Sequence, residues 1–275
     1  MWTLSGFADE IAPDLTTQLD TVVDLGLSYI EFRSAWGVNV LDLTDAQLDE
    51  VQAGLAERKL LVSSIGSPIG KIAIDEPMPA HLDRMHRAVE VAQRLQAPFI
   101  RIFSFFMPAG GNPADHRDEV MRRMDAIAAI GAEAGIAMVH ENEKEIYGDI
   151  PARCLDIVQT VDNAHLQLAW DPANFVQCGV RPFSQGYTML RPHTTYIQIK
   201  DALLDGGTVV PAGAGDGEVR ETIRALADDG FDGFFSLEPH LAAAGAFGGF
   251  SGPDLWREAH RAFTAMLAEE SIDVA

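Results

Sequence analysis

Four short segments at the ends of predicted strands each carry one acidic or amide side chain. These are Glu141 in VHENEK, Asp171 in AWDPANF, Gln198 in YIQIKDA and Glu238 in SLEPHL, spaced 30, 27 and 40 residues apart. Parallel strands run the same way, so side chains at their C-terminal ends converge on one mouth. Three carboxylates there would repel one another unless a divalent cation neutralised them, and carboxylate and amide oxygens suit Mn²⁺ or Mg²⁺. The spacing therefore predicts a metal-dependent barrel enzyme.

Each acidic position has an ordinary interpretation when it is taken alone. Glu141 would be one charge of a solvated loop, Asp171 would be a turn residue before Pro172, and Glu238 would merely end a buried strand. The same event at three strand ends is hard to attribute to chance, and it favours a shared site.

Basic side chains follow other predicted strands. Arg33 and Arg101 end the second and fourth, Lys200 follows the seventh, and Lys71 lies in SPIGK after the third. We expect these cations to bind substrate oxygens or a developing oxyanion, with Lys200 in a catalytic role. The alternative is that they neutralise neighbouring carboxylates or, for Lys71, that it lies on a surface turn. His240 is expected to orient a substrate hydroxyl, or else to be an ordinary loop histidine.

Composition limits the classes of protein that this chain can be. Its 275 residues, 47% of them hydrophobic, suit one domain over residues 1–275. The formal net charge of −21 opposes binding to polyphosphate backbones, so nucleic acid is not an expected partner. Cys154 and Cys178 form no CxxC motif, which indicates reduced thiols in a cytoplasmic protein. The sequence predicts neither a signal peptide nor a membrane span.

Short apolar runs alternate with segments of helical periodicity, a pattern typical of repeated βα units. The predicted strands are Thr3–Phe7, Tyr29–Phe32, Leu61–Ile65, Phe99–Phe103, Ala137–His140, Leu166–Trp170, Tyr196–Ile199 and Phe234–Leu237. The predicted helices are Leu15–Leu25, Asp45–Arg58, His81–Leu95, Arg117–Ala134, Ile150–Val161, Val219–Asp229 and Pro253–Glu270, with a short turn-rich element near Pro182–Leu190. Eight strands favour an α/β fold of the (β/α)8 TIM barrel type.

An open doubly wound sheet is the rival fold. Such sheets usually carry a glycine-rich phosphate turn after an early strand, and GFADEIAPD after the first strand has neither GxGxxG nor a P-loop. The glycine cluster of residues 206–217 comes late, after the seventh strand. It is either an active-site loop that contacts substrate or a flexible connection.

Nine blocks, read in order, resemble the sugar phosphate isomerase/epimerase family, the xylose-isomerase-like TIM barrels. They are GFADEI, IEFRSAWG, SSIGSPIGK, IRIFSFF, HENEKEIYGD, WDPANF, IKDA, GAGDGEV and SLEPH, and they cover nearly the whole chain. The resemblance implies a divalent metal held by Glu141, Asp171, the position of Gln198, and Glu238. It also implies that Glu141 and Glu238 are the proton-transferring pair.

Gln198 departs from the usual family pattern, which has His at this position. Hydroxypyruvate isomerase and its relatives place Gln there and still bind metal, so the resemblance remains compatible with a metal site. An amide oxygen is a harder ligand than imidazole, so we expect Mn²⁺, with Mg²⁺, Co²⁺ or Zn²⁺ as alternatives. The apurinic-site endonucleases share the barrel but require additional histidines and a DNA-binding surface that the charge of this chain does not suit.

The expected function is isomerisation or epimerisation of a sugar or keto-sugar through a metal-stabilised cis-enediolate. One glutamate would remove the proton next to the carbonyl and the other would return it. One alternative is a lyase or dehydratase that uses the same enediolate, including subunits that cleave C-glycosides. Another is a carbohydrate-binding barrel without catalysis. A homodimer or homotetramer is expected from the resemblance.

Overall fold

Eight parallel strands form the barrel in the computed structural model, which describes residues 2–245 and 248–274. In chain order, β1 to β8 are Thr3–Gly6, Tyr29–Phe32, Leu61–Gly66, Phe99–Ile102, Ala137–Glu141, Leu166–Trp170, Thr194–Ile199 and Phe234–Leu237. The hydrogen-bonded order is β1, β8, β7, β6, β5, β4, β3, β2, and a parallel bridge between Phe7 and Glu31 brings β1 and β2 together. The predicted TIM barrel is confirmed as a single domain.

Nine α-helices connect and cover the strands of the described part of the chain. In order, α1 to α9 are Leu15–Asp24, Asp45–Arg58, Pro79–Leu95, Arg117–Ala134, Pro151–Val161, Pro172–Gln177, Pro182–Leu190, Val219–Asp228 and Gly252–Glu269. Thr44 and Gln47 begin α2 with reciprocal hydrogen bonds, which satisfy backbone groups that a helix start leaves free. Gly135 follows α4 with a φ of 69°, a left-handed conformation that glycine adopts at little cost.

The structure differs from the sequence-based elements in three respects. The stretch Pro182–Leu190 is a regular helix, because proline at its first turn fixes a helical φ. The helix Pro172–Gln177 was not predicted, since six residues are too few for a clear helical period. Three short antiparallel strand pairs in the described part of the chain extend the loops: 34–35 with 38–39, 201–202 with 209–210, and 242–245 with 248–250. No helix in residues 2–245 or 248–274 is long and apolar enough to cross a membrane.

Inward-facing side chains fill the barrel in three layers. The aromatic layer lies at the N-terminal end of the strands and consists of Tyr29, Phe99, Tyr196 and Phe234. Above it, the polar layer consists of Ser5, Glu31, Ser63, Gln198 and Ser236. The ionic layer, at the C-terminal mouth, consists of Arg33, Arg101, Glu141, Asp171, Lys200 and Glu238. Barrel interiors of this type are usually filled by branched apolar residues, so two polar layers indicate a function at the mouth.

Candidate active site and metal centre

Three carboxylates at the C-terminal ends of β5, β6 and β8 meet at the mouth. Glu141 ends β5, Asp171 lies immediately before α6, and Glu238 follows β8. One ligand oxygen of each lies within 4.8 Å of the others, and all three side chains are buried. Asp171 owes its position partly to helix capping, since its Oδ1 accepts the N–H of Asn174 at 2.8 Å. The predicted convergence of these residues is therefore present in the structure.

Three basic side chains lie among the carboxylates. The ammonium of Lys200 is 2.7 Å from Asp171 Oδ2 and 2.8 Å from Glu238 Oε2. Arg101 Nη1 is 3.1 Å from Glu141 Oε2 and 3.7 Å from Glu238 Oε1. Arg33 Nη1 lies 3.3 Å from the same oxygen of Glu238. All three cations thus contact carboxylates, which was the alternative to direct substrate binding.

His240 joins this network from the loop after β8. Its Nε2 lies 3.3 Å from Glu238 Oε1 and 3.2 Å from Glu10 Oε1. Glu10 is fully buried, and its other carboxylate oxygen accepts hydrogen bonds from the backbone of His240 and the hydroxyl of Ser251. The histidine is therefore held beside Glu238 by the loop after β1, which the sequence did not indicate.

Burial and charge act differently on the three carboxylates. Burial raises the pKa of Glu141 to about 8, since Arg101 only partly offsets the loss of hydration. Burial also raises the pKa of Asp171, against the charge of Lys200. Burial acts in the same direction on Glu238, but Lys200, His240 and Arg101 together hold its pKa well below the usual range. Positive charge is therefore concentrated around Glu238.

Gln198 points into the barrel from β7. It lies two residues before Lys200, whose side chain faces the same way. Its Nε2 donates a hydrogen bond to Glu31 Oε2 at 3.1 Å. Its Oε1 is buried and accepts no hydrogen bond from the residues that the structure describes. An unpartnered acceptor in a buried site is costly, and it is suited to a bound cation.

Lys71 lies at the rim and does not touch the three carboxylates. Its ammonium is 4.2 Å from the centre of the Phe103 ring and 3.3 Å from Glu143 Oε2, and about a third of its side chain is exposed (32%). Lys71 therefore lies toward the entrance, apart from the other predicted site residues.

The late glycine-rich segment is organised around Asp201. The carboxylate accepts backbone N–H groups of Ala202, Gly213, Gly215 and Gly217 at distances of 2.8 to 3.0 Å. A Cβ atom on Gly215 would lie 2.4 Å from Asp201 Oδ1, so only glycine fits this approach. The segment is thus a shaped loop at the mouth rather than a flexible connection.

Sequence reasoning missed two polar residues that contact the predicted ligands. Asn174 donates a hydrogen bond from Nδ2 to Glu141 Oε1 at 3.2 Å. Glu31 contacts Gln198, as described above. The signal for Glu31 was its position two residues before Arg33 in the strand segment YIEFR, because alternate strand residues share a face.

The donor set at the mouth fits a divalent cation in chemical type. Glu141, Asp171 and Glu238 offer carboxylate oxygens and Gln198 offers an amide oxygen, all of them ligands for hard or borderline ions. Lys200 Nζ lies between two of these carboxylates, so a cation must share them with the ammonium. The same groups are able to accept, hold and return a proton of a small molecule that enters the mouth.

Comparisons with known proteins agree with this architecture. Residues 19–266 match a family model described as a xylose isomerase-like TIM barrel. Similar solved structures include the probable 3-DHS dehydratase from Bacillus anthracis (18% identity, TM-score 0.76, covering 95% of this chain and 98% of that one). They also include a xylose isomerase-like TIM barrel protein from Mycobacterium smegmatis in complex with magnesium (21%, 0.71, 96% and 97%) and 3-keto-D-glucoside 4-epimerase from E. coli (14%, 0.73, 97% and 98%). A comparison with curated protein sequences gave no match.

Proposed function

This chain belongs to the xylose isomerase-like TIM barrel family, and on that premise we propose that it is a divalent-metal-dependent isomerase or epimerase of a sugar or keto-sugar. The observation that carries the proposal is the buried group of Glu141, Asp171 and Glu238, whose ligand oxygens lie within 4.8 Å of one another. The strands β5 and β8 lie three places apart in the ring of eight. The two glutamates therefore approach the same space from different sides, as transfer of a proton across a substrate requires.

The balance of charge supports a cation at this place. Seven carboxylates lie at or beside the mouth, and four lysine and arginine side chains lie among them. The carboxylates are those of Asp9, Glu10, Glu31, Glu141, Glu143, Asp171 and Glu238, and the cations are Arg33, Lys71, Arg101 and Lys200. The excess of three negative charges is expensive to bury unless some are protonated or a cation is bound. A divalent ion would offset two of them.

A bound divalent ion would polarise the carbonyl of the substrate and make the neighbouring C–H more acidic. Glu238 is the base of the proposed reaction, because the positive groups around it favour its ionised form. Glu141, which contacts Arg101 and the amide of Asn174, returns the proton from the other side. Arg101 contacts both glutamates and is placed to stabilise negative charge that develops on the substrate oxygen.

Exchange of substrate hydrogen with solvent tests the proposal directly. We expect deuterium from D₂O to enter members of a panel of ketoses and 3-keto-glucosides in the presence of Mn²⁺ or Mg²⁺, and EDTA to stop it. Glu141→Gln is expected to reduce the exchange by at least about 10²-fold. Glu145→Gln is the matched control, because Glu145 is exposed and lies outside the network. Absence of exchange from the whole panel with metal present would reject this reaction class.

A lyase or dehydratase is the second candidate function. It is supported by Lys200, whose buried ammonium lies within 2.8 Å of both Asp171 and Glu238 and is placed to stabilise the negative charge that develops on a departing hydroxyl. Elimination releases water or another leaving group, whereas isomerisation and epimerisation keep the composition of the substrate. Mass analysis of the product from the exchange reaction therefore separates the two functions. A carbohydrate-binding protein without catalysis would bind sugar but give no exchange.

A further inference from the structure

One buried glutamate in the polar layer has no part in the proposed reaction. Glu31 lies in β2 and is 0% exposed. Its Oε2 accepts three hydrogen bonds, from Ser236 Oγ at 2.7 Å, from Tyr196 Oη at 3.0 Å and from Gln198 Nε2 at 3.1 Å. All three donors come from β7 and β8, on strands separated from β2 by β1 along the ring. A carboxylate buried in this way costs free energy, so its presence requires an explanation.

We propose that Glu31 is a positioning residue that fixes the amide of Gln198 and thereby presents Gln198 Oε1 to the divalent cation. The inference rests on the proposed metal-dependent function. A carboxylate oxygen that accepts three hydrogen bonds demands a donor from the amide that faces it, and only the NH₂ end of glutamine can donate. The opposite orientation would place two oxygens against each other. Glu31 thus determines which end of Gln198 remains for another partner.

The end that remains is the oxygen, and its surroundings suit a ligand. Gln198 Oε1 is buried and accepts no hydrogen bond within the described ranges 2–245 and 248–274. Two residues further along the same inward face, the ammonium of Lys200 contacts Asp171 and Glu238. The amide therefore lies two residues before a side chain that contacts two of the proposed ligands.

Metal-binding side chains often donate their second polar group to a carboxylate, which orients the ligand. The pair of Glu31 and Gln198 reproduces this arrangement with an amide in place of an imidazole. It gives a reason for a buried carboxylate in the polar layer, whose other members carry only hydroxyl or amide groups.

Titration of metal-stripped protein with Mn²⁺ tests the inference without measuring turnover. Glu31→Gln keeps the size of the side chain but no longer determines the orientation of the Gln198 amide. We expect the Mn²⁺ affinity to fall by about 10- to 100-fold, as for other residues that orient metal ligands. Tyr196→Phe is the matched control, since it removes another donor to the same oxygen and leaves the Gln198 hydrogen bond intact. Its Mn²⁺ affinity should stay within about twofold of wild type, a difference of roughly 0.4 kcal/mol.

A double-mutant cycle distinguishes positioning from general support of the barrel. In a Gln198→Leu background, Glu31→Gln should cause no further loss of Mn²⁺ affinity. Wild-type affinity in folded Glu31→Gln, or an equal loss in Tyr196→Phe, would overturn the inference. If Glu31→Gln does not fold, Glu31→Asp replaces it, because the shortened carboxylate no longer reaches the amide at the same distance. Wild-type Mn²⁺ affinity in Glu31→Asp would also overturn the inference.

The cycle also separates this inference from the function on which it rests. Wild-type protein that binds no Mn²⁺ would reject the metal-dependent function. Wild-type protein that binds Mn²⁺ through Gln198, but with no contribution from Glu31, would reject only the positioning role. Unchanged affinity in Gln198→Leu would remove Gln198 from the ligand set and the inference with it, while leaving the three carboxylates to be tested by Asp171→Asn.

Discussion

The two ends of the barrel interior are built from the same strands but hold opposite kinds of side chain. Strand β4 places Phe99 in the aromatic layer and Arg101 in the ionic layer, and the inward face of β7 runs from Tyr196 to Lys200. The aromatic rings pack at centroid distances of 5.0 to 6.2 Å, mostly edge to face. The ionic layer is held by charge pairs across the barrel, and its two arginines also lie over the rings of Phe7 and Phe103 at 4.5 to 4.9 Å.

The free energy of burying one side chain has opposite signs in the two layers. Burial of an aromatic ring is favourable by itself, at roughly 25 cal/mol per Å² of apolar surface. Burial of a charge costs several kcal/mol, which an opposite charge only partly repays. The aromatic layer therefore stabilises the barrel, whereas stability alone does not account for the ionic layer, as the proposed function requires. Substitutions in each layer test this difference.

The largest difference between the layers should appear in turnover. Glu238→Gln removes the proposed base and one metal ligand, so we expect turnover to fall by at least about 10³-fold. Phe234→Leu changes the aromatic end of the same strand and should leave turnover within about threefold, since it touches no group of the site. Steady-state kinetics of both purified variants checks the pair. Near wild-type turnover by Glu238→Gln would defeat the proposed mechanism.

Removal of the central cation should reveal the cost of the ionic layer. Lys200→Met leaves Asp171 and Glu238 without the ammonium between them, and we expect the metal-free protein to lose about 3 kcal/mol of unfolding free energy. Mn²⁺ should restore more stability to this variant than it adds to wild type, because the ion no longer shares its ligands. Urea unfolding with and without Mn²⁺ measures both effects.

Lys71→Met is the matched control for Lys200→Met. Lys71 pairs with Glu143 at the rim and a third of its side chain is exposed (32%), so its loss should cost less than about 1 kcal/mol. Equal destabilisation of the two variants would show that burial does not determine how much an ion pair contributes to the unfolding free energy. No gain in Mn²⁺ response for Lys200→Met would show that the ammonium and the ion do not compete.

The fold was predictable because its signals are local. Apolar runs of four or five residues predicted all eight strands to within a residue or two at each end, and the left-handed glycines Gly26, Gly135 and Gly230 follow their helices as expected. The short helix Pro172–Gln177 escaped prediction because it spans fewer than two turns. Its start was nevertheless visible in the sequence as Asp-Pro, an N-cap followed by proline.

The convergence of the three carboxylates was predictable, but their pairings with the basic side chains were not. Residues at strand ends must converge, so Glu141, Asp171 and Glu238 were found from spacing. Which cation meets which carboxylate depends on the stagger of the strands around the ring. Glu31 and Gln198, for example, are separated by 167 residues and meet only because the barrel closes. No local pattern of residues carries that information.

A smaller effect is expected from the aromatic layer. Phe99→Ala should cost about 2 kcal/mol of unfolding free energy, below the usual range for a fully buried ring because Phe99 is only partly buried. Phe99→Leu should cost less, since it retains most of the volume. Both variants should bind Mn²⁺ within about twofold of wild type. A tenfold loss of Mn²⁺ affinity in Phe99→Ala would mean that the two layers are coupled and that the comparison fails.

The smallest expected effect concerns the loop that carries Lys71 to the rim of the ionic layer. His81 Nε2 accepts the backbone N–H of Gly70 at 2.8 Å, which requires that nitrogen to be unprotonated. Gly70 lies so close to Phe103 that a Cβ atom would be 2.0 Å from the Phe103 carbonyl oxygen. Burial lowers the pKa of His81 to about 4, and the charges of Arg84 and Arg123 act in the same direction.

The sign of the pH dependence follows from this lowered pKa. The unfolded histidine binds a proton near pH 6.5 and the folded one only near pH 4, so its contribution is full above pH 6.5 and is lost as the pH falls toward 4. His81→Gln keeps an acceptor without a titrating group and should reduce the loss of stability between pH 7 and pH 5 by about 1 kcal/mol, allowing for solvent screening. His86→Gln, on the exposed side of the same helix, should leave that loss unchanged. Urea unfolding at the two pH values decides the matter, and an unaltered pH dependence in His81→Gln would show that the rim loop is not held by a neutral imidazole.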